Sequence, residues 1–340
     1  MRSARLPATM SDPLAPAPAP VPSGLSTRRP RREDAGAVTA VIRAAEVAIC
    51  GESLANPGDL LFDWADPRVS LDRDAWVVVD QRGRVVGYAC SFGHDPADAI
   101  DLECVVHPDV EGTVLDEQLL GMLLRRAGEQ ADEAGLDRRA VTVSAHCVRQ
   151  DVRRRALYER LGFERVRVFL RMVIGAGDLP EPPPWPDGIT VAAFRPGVDD
   201  HTLHAVVQDA FLDHYRGTPV PFDVWSAQVF GDDDFDPGLA LIARAGDHAV
   251  GAVVALTLPE AGYIEYLAVR RSWRGRGLGA ALLVHGLHLL AARGVESVFL
   301  DVDAESATGA DRLYRRVGMR VQREDDVYER RLEDEAVLSR

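Results

Sequence analysis

The sequence predicts two tandem α/β domains, each a mixed, mostly antiparallel sheet flanked by helices. Three observations predict it. The chain has 340 residues, enough for two cores of ordinary size. A Pro-rich break lies near its middle, and the same order of motifs recurs on either side of that break. Within each copy strands alternate with helices, and the early strands come as hairpins, which calls for a mixed sheet with helices on both faces.

Taken in order, residues 1–24 centre on a Pro/Ala run that favours extended polyproline conformations and predicts a disordered tail. Residues 25–174 and 188–334 are the two copies, joined by residues 175–187, whose prolines predict a semi-rigid linker. Each copy opens with a short strand and a helix, residues 25–45 and 189–211. A strand, turn and strand follow, residues 75–92 against 239–256, with Gly87 and Gly251 at matching places. A strand then runs through a turn into a helix, residues 100–129 against 263–292. Both copies close with strand, helix and strand, and the closing helices end Leu157-Tyr-Glu-Arg-Leu-Gly162 and Leu313-Tyr-Arg-Arg-Val-Gly318.

Composition narrows the function classes. A net charge of −14 argues against gripping nucleic acid or an anionic membrane face, and leaves room for a cationic substrate. All 39 basic residues are arginine. None of Cys50, Cys90, Cys104 and Cys147 pairs with another at metal-ligand spacing, so no metal is predicted and the four read as free thiols of a reducing cytoplasm. The N-terminus has no apolar core of a signal peptide, and no run of about 18 apolar residues exists to cross a bilayer. The expected location is cytoplasmic.

The strand from Tyr263 to Val269 carries the most specific signal. Simple alternation puts Tyr263, Glu265, Leu267 and Val269 on one face, and Ile264, Tyr266 and Ala268 on the other. The strand runs into Arg274-Gly-Arg-Gly-Leu-Gly279 and then a helix with Leu283, Leu287 and Leu290 at helical spacing. The first amides of a helix have no internal acceptor and the helix dipole adds partial positive charge, so this end can hold an anion. Glycines let a phosphate approach without a Cβ in the way, and Arg274 and Arg276 add charge. The first copy aligns Glu111-Gly-Thr-Val-Leu-Asp116 with this turn. Glu111 there replaces an arginine, and Val114 and Asp116 replace glycines, so repulsion and bulk both predict a lost anion site. The first copy is expected to be a scaffold, with Arg153, Arg154 and Arg155 structural or at the surface.

The Arg-x-x-Gly-x-Gly turn after Leu267-Ala-Val269, followed about 35 residues later by Leu313-Tyr-x-x-x-Gly318, resembles the GCN5-related N-acetyltransferase (GNAT) superfamily. The resemblance implies acetyl-CoA as acyl donor, with its pyrophosphate on Arg274, Gly275, Arg276, Gly277, Leu278 and Gly279. It implies that Leu267, Ala268 and Val269 hold the pantetheine arm, and that the amide of Leu267 or Val269 stabilises the oxyanion. Tyr314 stands where members carry the acid for the leaving thiolate; a core tyrosine satisfied by a hydrogen bond is the plainer reading. Glu265 is the candidate base, directly or through water, although some members place that acid where this chain has Tyr263. Ser306 stands where relatives have a cofactor-contacting asparagine, with helix capping by Ser306 or Thr308 the alternative.

The acceptor is expected to be a primary amine of a small molecule or peptide, met by His214, Tyr215 and Tyr263 and attracted by the acidic run Asp232-Asp-Asp234. The layout of one worn and one intact copy resembles that of certain tandem members of the superfamily, and this resemblance implies an acceptor lying between the two halves. A non-catalytic acyl-CoA sensor is the competing class; it would keep the Gly-rich turn but need neither Glu265 nor Tyr314.

Overall fold

A single 12-stranded sheet runs through both copies in the computed structural model, which describes residues 21–332 apart from 67, 94–97, 111–113, 216, 232–234, 260 and 307. The first copy supplies β1 (Leu25–Arg28), α1 (Ala35–Cys50), α2 (Pro57–Asp63), α3 (Leu71–Asp74), β2 (Ala75–Asp80), β3 (Val85–Gly93), β4 (Ala99–Val106), α4 (Leu115–Glu133), β5 (Thr142–Val148), α5 (Val152–Arg160) and β6 (Glu164–Gly175). The second supplies β7 (Ile189–Ala193), α6 (Asp200–Phe211), α7 (Phe222–Phe230), β8 (Phe235–Ala245), β9 (His248–Thr257), β10 (Gly262–Val269), α8 (Leu278–Ala291), β11 (Ser297–Asp303), α9 (Ala310–Val317) and β12 (Arg320–Arg331).

The strand order is β1-β2-β3-β4-β5-β12-β6-β11-β10-β9-β8-β7. The pairs β4·β5 and β10·β11 are parallel; β5·β12, β12·β6 and β6·β11 are antiparallel. Each copy thus ends inside the other, because β12 lies beside β5 and β6 lies beside β11. Packing explains the exchange. Leu170, Met172 and Ile174 of β6 are buried with Val298, Leu300 and the apolar face of α8. Tyr328 of β12 and Leu332 are buried with Val143, Ala145 and the apolar face of α4. At the seam Asp326 is fully buried and pairs with Arg149, Arg155 and Arg165. Removing one side of such a buried pair typically costs ~3–5 kcal/mol, so the seam resists separation.

In the second copy α8 lies on one face, burying Leu282, Leu283, Leu287 and Leu290, and α6 and α7 cover the other through Leu203, Val207 and Trp225. At ~1.5–3 kcal/mol for each fully buried leucine, α8 is firmly seated. The linker is docked, since Trp185 stacks on His285 at 3.9 Å and His288 Nε2 lies 2.9 Å from Pro180 O. Val21, inside the segment expected to be a tail, packs on the first copy's core.

Simple alternation along β10 fails. The register with β9 shifts between Ile264 and Tyr266, so Glu265 is an extra residue in a β-bulge. Ile264, Leu267 and Val269 therefore face α8, while Tyr266 and Ala268 face α6 and α7. Tyr263 shares a cluster with Phe299, Val173 and Leu54, away from Leu267. The bulge presents Glu265 as an exposed side chain on an otherwise covered strand.

The exchange predicts that neither half folds alone. Residues 184–340 expressed by themselves should aggregate, and co-expression with residues 1–183 should give a co-purifying, cooperatively melting complex. Cooperative melting and full activity of residues 184–340 alone would contradict the interlocked cores.

Candidate active site

The site is a wedge between two diverging strands. β10 and β11 pair only at Gly262 with Val298 and Tyr263 with Phe299, then separate. On the other edge of β10, Arg270 N donates to Val250 O at 3.0 Å. Antiparallel strands alternate in which residues bond to a given neighbour. The N–H and C=O of Ala268 therefore turn to β9, and those of Leu267 and Val269 turn into the wedge.

At the mouth of the wedge the chain makes a left-handed turn, with φ of 75° at Gly275 and 84° at Gly277. An added Cβ would meet nothing within 4 Å at either position, so backbone conformation rather than crowding demands glycine. The equivalent Val114 of the first copy has φ −70°, outside the left-handed region. The first helical bond of α8 runs from Ala281 N to Gly277 O at 3.1 Å, which leaves the amides of Leu278, Gly279 and Ala280 without an intrahelical acceptor.

The side chain of Arg274 does not point a free charge at this mouth. Its Nε donates to Val269 O at 3.0 Å, Nη1 to Asp213 at 2.7 Å and Nη2 to Ala210 O at 2.9 Å. It clamps the turn to β10 and to the end of α6. Arg274 and Arg271 together hold the Asp213 carboxyl below its usual range. Arg276, whose guanidinium lies 4.6 Å from the Trp273 ring centroid, is the cation left beside the helix end.

Tyr314, on α9, lies on the α8 side in the cluster against which Leu267 and Val269 pack. It is 8% exposed, and burial alone pushes its hydroxyl up to about 12, with no hydrogen bond contributing. Tyr158, its counterpart, donates to His146 O at 3.2 Å. The reading of a hydrogen-bonded core tyrosine thus fits Tyr158 and not Tyr314.

On the opposite face, the Glu265 carboxylate adjoins the Tyr266 hydroxyl, whose pKa is raised by desolvation and by that charge. The clamp at Asp213 brings the next residues to the same region. His214 lies against Phe211, ring centroids 4.2 Å apart, and its pKa is lowered by desolvation, with Asp303 acting the other way. The Tyr215 hydroxyl donates to Glu329, and the Arg167 guanidinium sits 4.5 Å over its ring. Tyr263 is set apart, donating to Asp301 at 3.0 Å, and Asp301 in turn accepts two bonds from Arg171 at 3.0 and 2.7 Å. Ser306 sits in the turn before α9, its hydroxyl 2.8 Å from that of Thr308, and Gly309 rather than either residue is the N-cap. Glu111 and the run 232–234 lie outside the described residues.

Sequence reasoning missed Arg167 and Arg171, which the first copy delivers on β6, and a cavity of about 120 Å³ at the seam. Cys50, Ser53, Gln150, Arg171, Gln322 and Arg323 line it. Among the described residues there is no helix long and apolar enough to cross a membrane, and no group of three metal-ligating side chains.

Comparison with known proteins agrees with this geometry. The chain matches the acetyltransferase (GNAT) family over residues 45–163 and 204–319. It is 32% identical over 248 residues to a mycothiol acetyltransferase of Streptomyces scabiei, covering 72% of this chain and 76% of that one. It is 34% identical over 248 residues to one from Salinispora arenicola, covering 69% and 75%. Among solved structures, a GCN5-related N-acetyltransferase from Sphaerobacter thermophilus superposes with a TM-score of 0.78 at 31% identity, covering 93% of this chain and 98% of that one. A tandem GNAT protein of the clavulanic acid pathway gives 0.70 at 15% identity, covering 91% and 99%, a likeness of fold alone.

Gly277→Val tests the mouth of the wedge. A left-handed angle costs a residue with a Cβ ~1–2 kcal/mol, so the Kd for CoA should rise about 5- to 30-fold in calorimetry with little change in melting temperature. An unchanged Kd would show that this turn does not hold the ligand.

Proposed function

The chain belongs to the acetyltransferase (GNAT) family and is an acetyl-CoA-dependent N-acetyltransferase, and we propose that its chemistry resides in the second copy, at the wedge between β10 and β11. The observation that carries this reading is the disposition of groups about one gap. Backbone donors of Leu267 and Val269 line it, a tyrosine hydroxyl without a partner reaches it from one face, and a carboxylate on a bulge stands at the other. In this reading acetyl-CoA lies with its pyrophosphate on the 274–279 turn and its pantetheine arm along Leu267, Ala268 and Val269.

Acetyl transfer to an alkylamine then needs three services. Glu265, directly or through a water, takes a proton from the ammonium, and the freed lone pair attacks the thioester carbonyl. The N–H of Leu267 or Val269 donates to the oxyanion. As the carbon–sulfur bond breaks, Tyr314, which keeps its proton across the neutral range, donates to the departing thiolate. The products are the N-acetyl amine and CoA thiol, and the second ammonium proton goes to solvent.

The acceptor is a primary amine of a small molecule or peptide, entering on the side lined by His214, Tyr215 and Tyr266. Its remainder reaches the seam cavity past Tyr263. That cavity mixes donors and acceptors: Arg171 and Arg323 bring guanidinium N–H groups to it, while Ser53, Glu52 and the glutamine amides supply both kinds of group. Hydroxyls, which both donate and accept, suit such a lining better than an anion would, given Glu46, Glu52, Asp301 and Asp325 nearby. The cysteinyl amine of the mycothiol precursor is therefore the first acceptor to test, in a panel with other amines and acetyl-CoA, reading release of CoA thiol. The setting is cytoplasmic in this reading, with no nucleic-acid, membrane or metal partner.

Two substitutions separate the roles by pH. Glu265→Gln should lower kcat about 10- to 1,000-fold at neutral pH, the loss shrinking as pH rises and free amine accumulates. Tyr314→Phe should give a smaller loss in kcat with unchanged CoA affinity, fading above about pH 8.5, where a thiolate leaves unaided. A Glu265→Gln profile identical to wild type would move the base elsewhere, and full rate in both variants would leave catalysis to positioning alone.

A further inference from the structure

We infer that the first copy retains a channel shaped for an acyl-CoA arm and that Arg154 closes it from inside. The wedge persists there in narrower form. β4 and β5 pair from Ala99 with Thr142 to Leu102 with Ala145, two positions further along than the second copy's strands, and then part. His107 N donates to Val86 O at 2.9 Å, matching Arg270 and Val250, so the backbone groups of Cys104 and Val106 turn into this wedge as those of Leu267 and Val269 do in the other.

A side chain of the protein meets the Cys104 carbonyl. Arg154, in the first turn of α5, donates through Nη1 to Cys104 O at 2.5 Å and through Nη2 to Asp116 Oδ1 at 2.8 Å. Its Nε lies 3.7 Å from Asp151 Oδ2. The guanidinium and both carboxylates are largely buried, with side chains 11%, 14% and 10% exposed. Burial drives the Asp116 carboxyl upward and Arg154 opposes it.

The alignment of the copies makes the substitution reciprocal. Counting from the shared Leu-Tyr, Arg154 corresponds to Ala310, and counting along the turn, Asp116 corresponds to Gly279. Neither alanine nor glycine carries a charge or a long side chain, so the second copy has no counterpart of the ion pair that fills the first. A carbonyl that would otherwise bond the arm's amides bonds Arg154 instead. Asp116 therefore closes the first site by anchoring Arg154, and not by holding a bare charge against a phosphate.

Calorimetric titration of the full chain with CoA tests this. Wild type should take one equivalent. Arg154→Ala/Asp116→Gly removes both partners and leaves neither charge orphaned; it should take a second equivalent, at least about tenfold weaker than the first because Val114 does not make the Gly277 turn. Adding Val114→Gly should tighten that second site. Arg154→Met/Asp116→Leu keeps the channel filled without charge and should stay at one equivalent. Amine acetylation by the second copy, which needs none of these residues, reports whether each variant is folded. Two equivalents in wild type or in the filled variant would overturn the inference. So would an acetylation-competent Arg154→Ala/Asp116→Gly that stays at one equivalent up to millimolar CoA.

Discussion

Two parallel strands that diverge leave backbone donors and acceptors facing a gap, and those groups must find partners. Most of what distinguishes the two halves follows from how each meets that demand. In the second copy the gap opens after two pairs, glycines turn the chain at its mouth, and positions 279 and 310 carry glycine and alanine in place of an ion pair. In the first, pairing continues further and Arg154 supplies the missing donor to Cys104 O. At the matching place the second copy has Ala310, which offers the Leu267 carbonyl no such donor.

The scaffold around the open gap is held by clamps that contain no catalytic group. Arg274 ties the turn to β10 and to α6, and Asp213 ties both Arg274 and Arg271 to the loop carrying His214 and Tyr215. The turn and the acceptor side are thereby coupled through one carboxylate. The exchanged strands add a second coupling. β6 brings Arg167 against Tyr215 and Arg171 against Asp301, so side chains of the first copy order the acceptor side of the second. Side chains of the first copy thus shape the second copy's geometry.

Much of this was legible in the sequence because it rests on local chemistry. The duplication, the Gly-rich turn and the Leu-Tyr-x-x-x-Gly helices predicted the fold, and the structure bears out both copies of it. Three features were not legible. Strand exchange leaves no local mark, since β6 and β12 read alike whether they pair within or across copies. The bulge at Glu265 breaks the period of two through backbone geometry, with no residue in Tyr263-Ile-Glu-Tyr-Leu-Ala-Val269 that demands it. The fates of Arg154 and Arg274 depend on partners 38 and 61 positions away. A signal for Arg154 did exist: the first copy exchanges alanine for arginine and glycine for aspartate at two places that only the fold brings together.

On this account the Leu267 and Val269 amides meet a ligand, while Arg154 fills the wedge at the Cys104 carbonyl. Amide hydrogen exchange read by mass spectrometry, with and without CoA, measures this directly. Peptides spanning residues 262–280 should gain protection when CoA is added, and those spanning residues 99–110, closed to CoA by Arg154, should remain unchanged. Equal gains in both segments, or a gain confined to the first copy, would contradict the account.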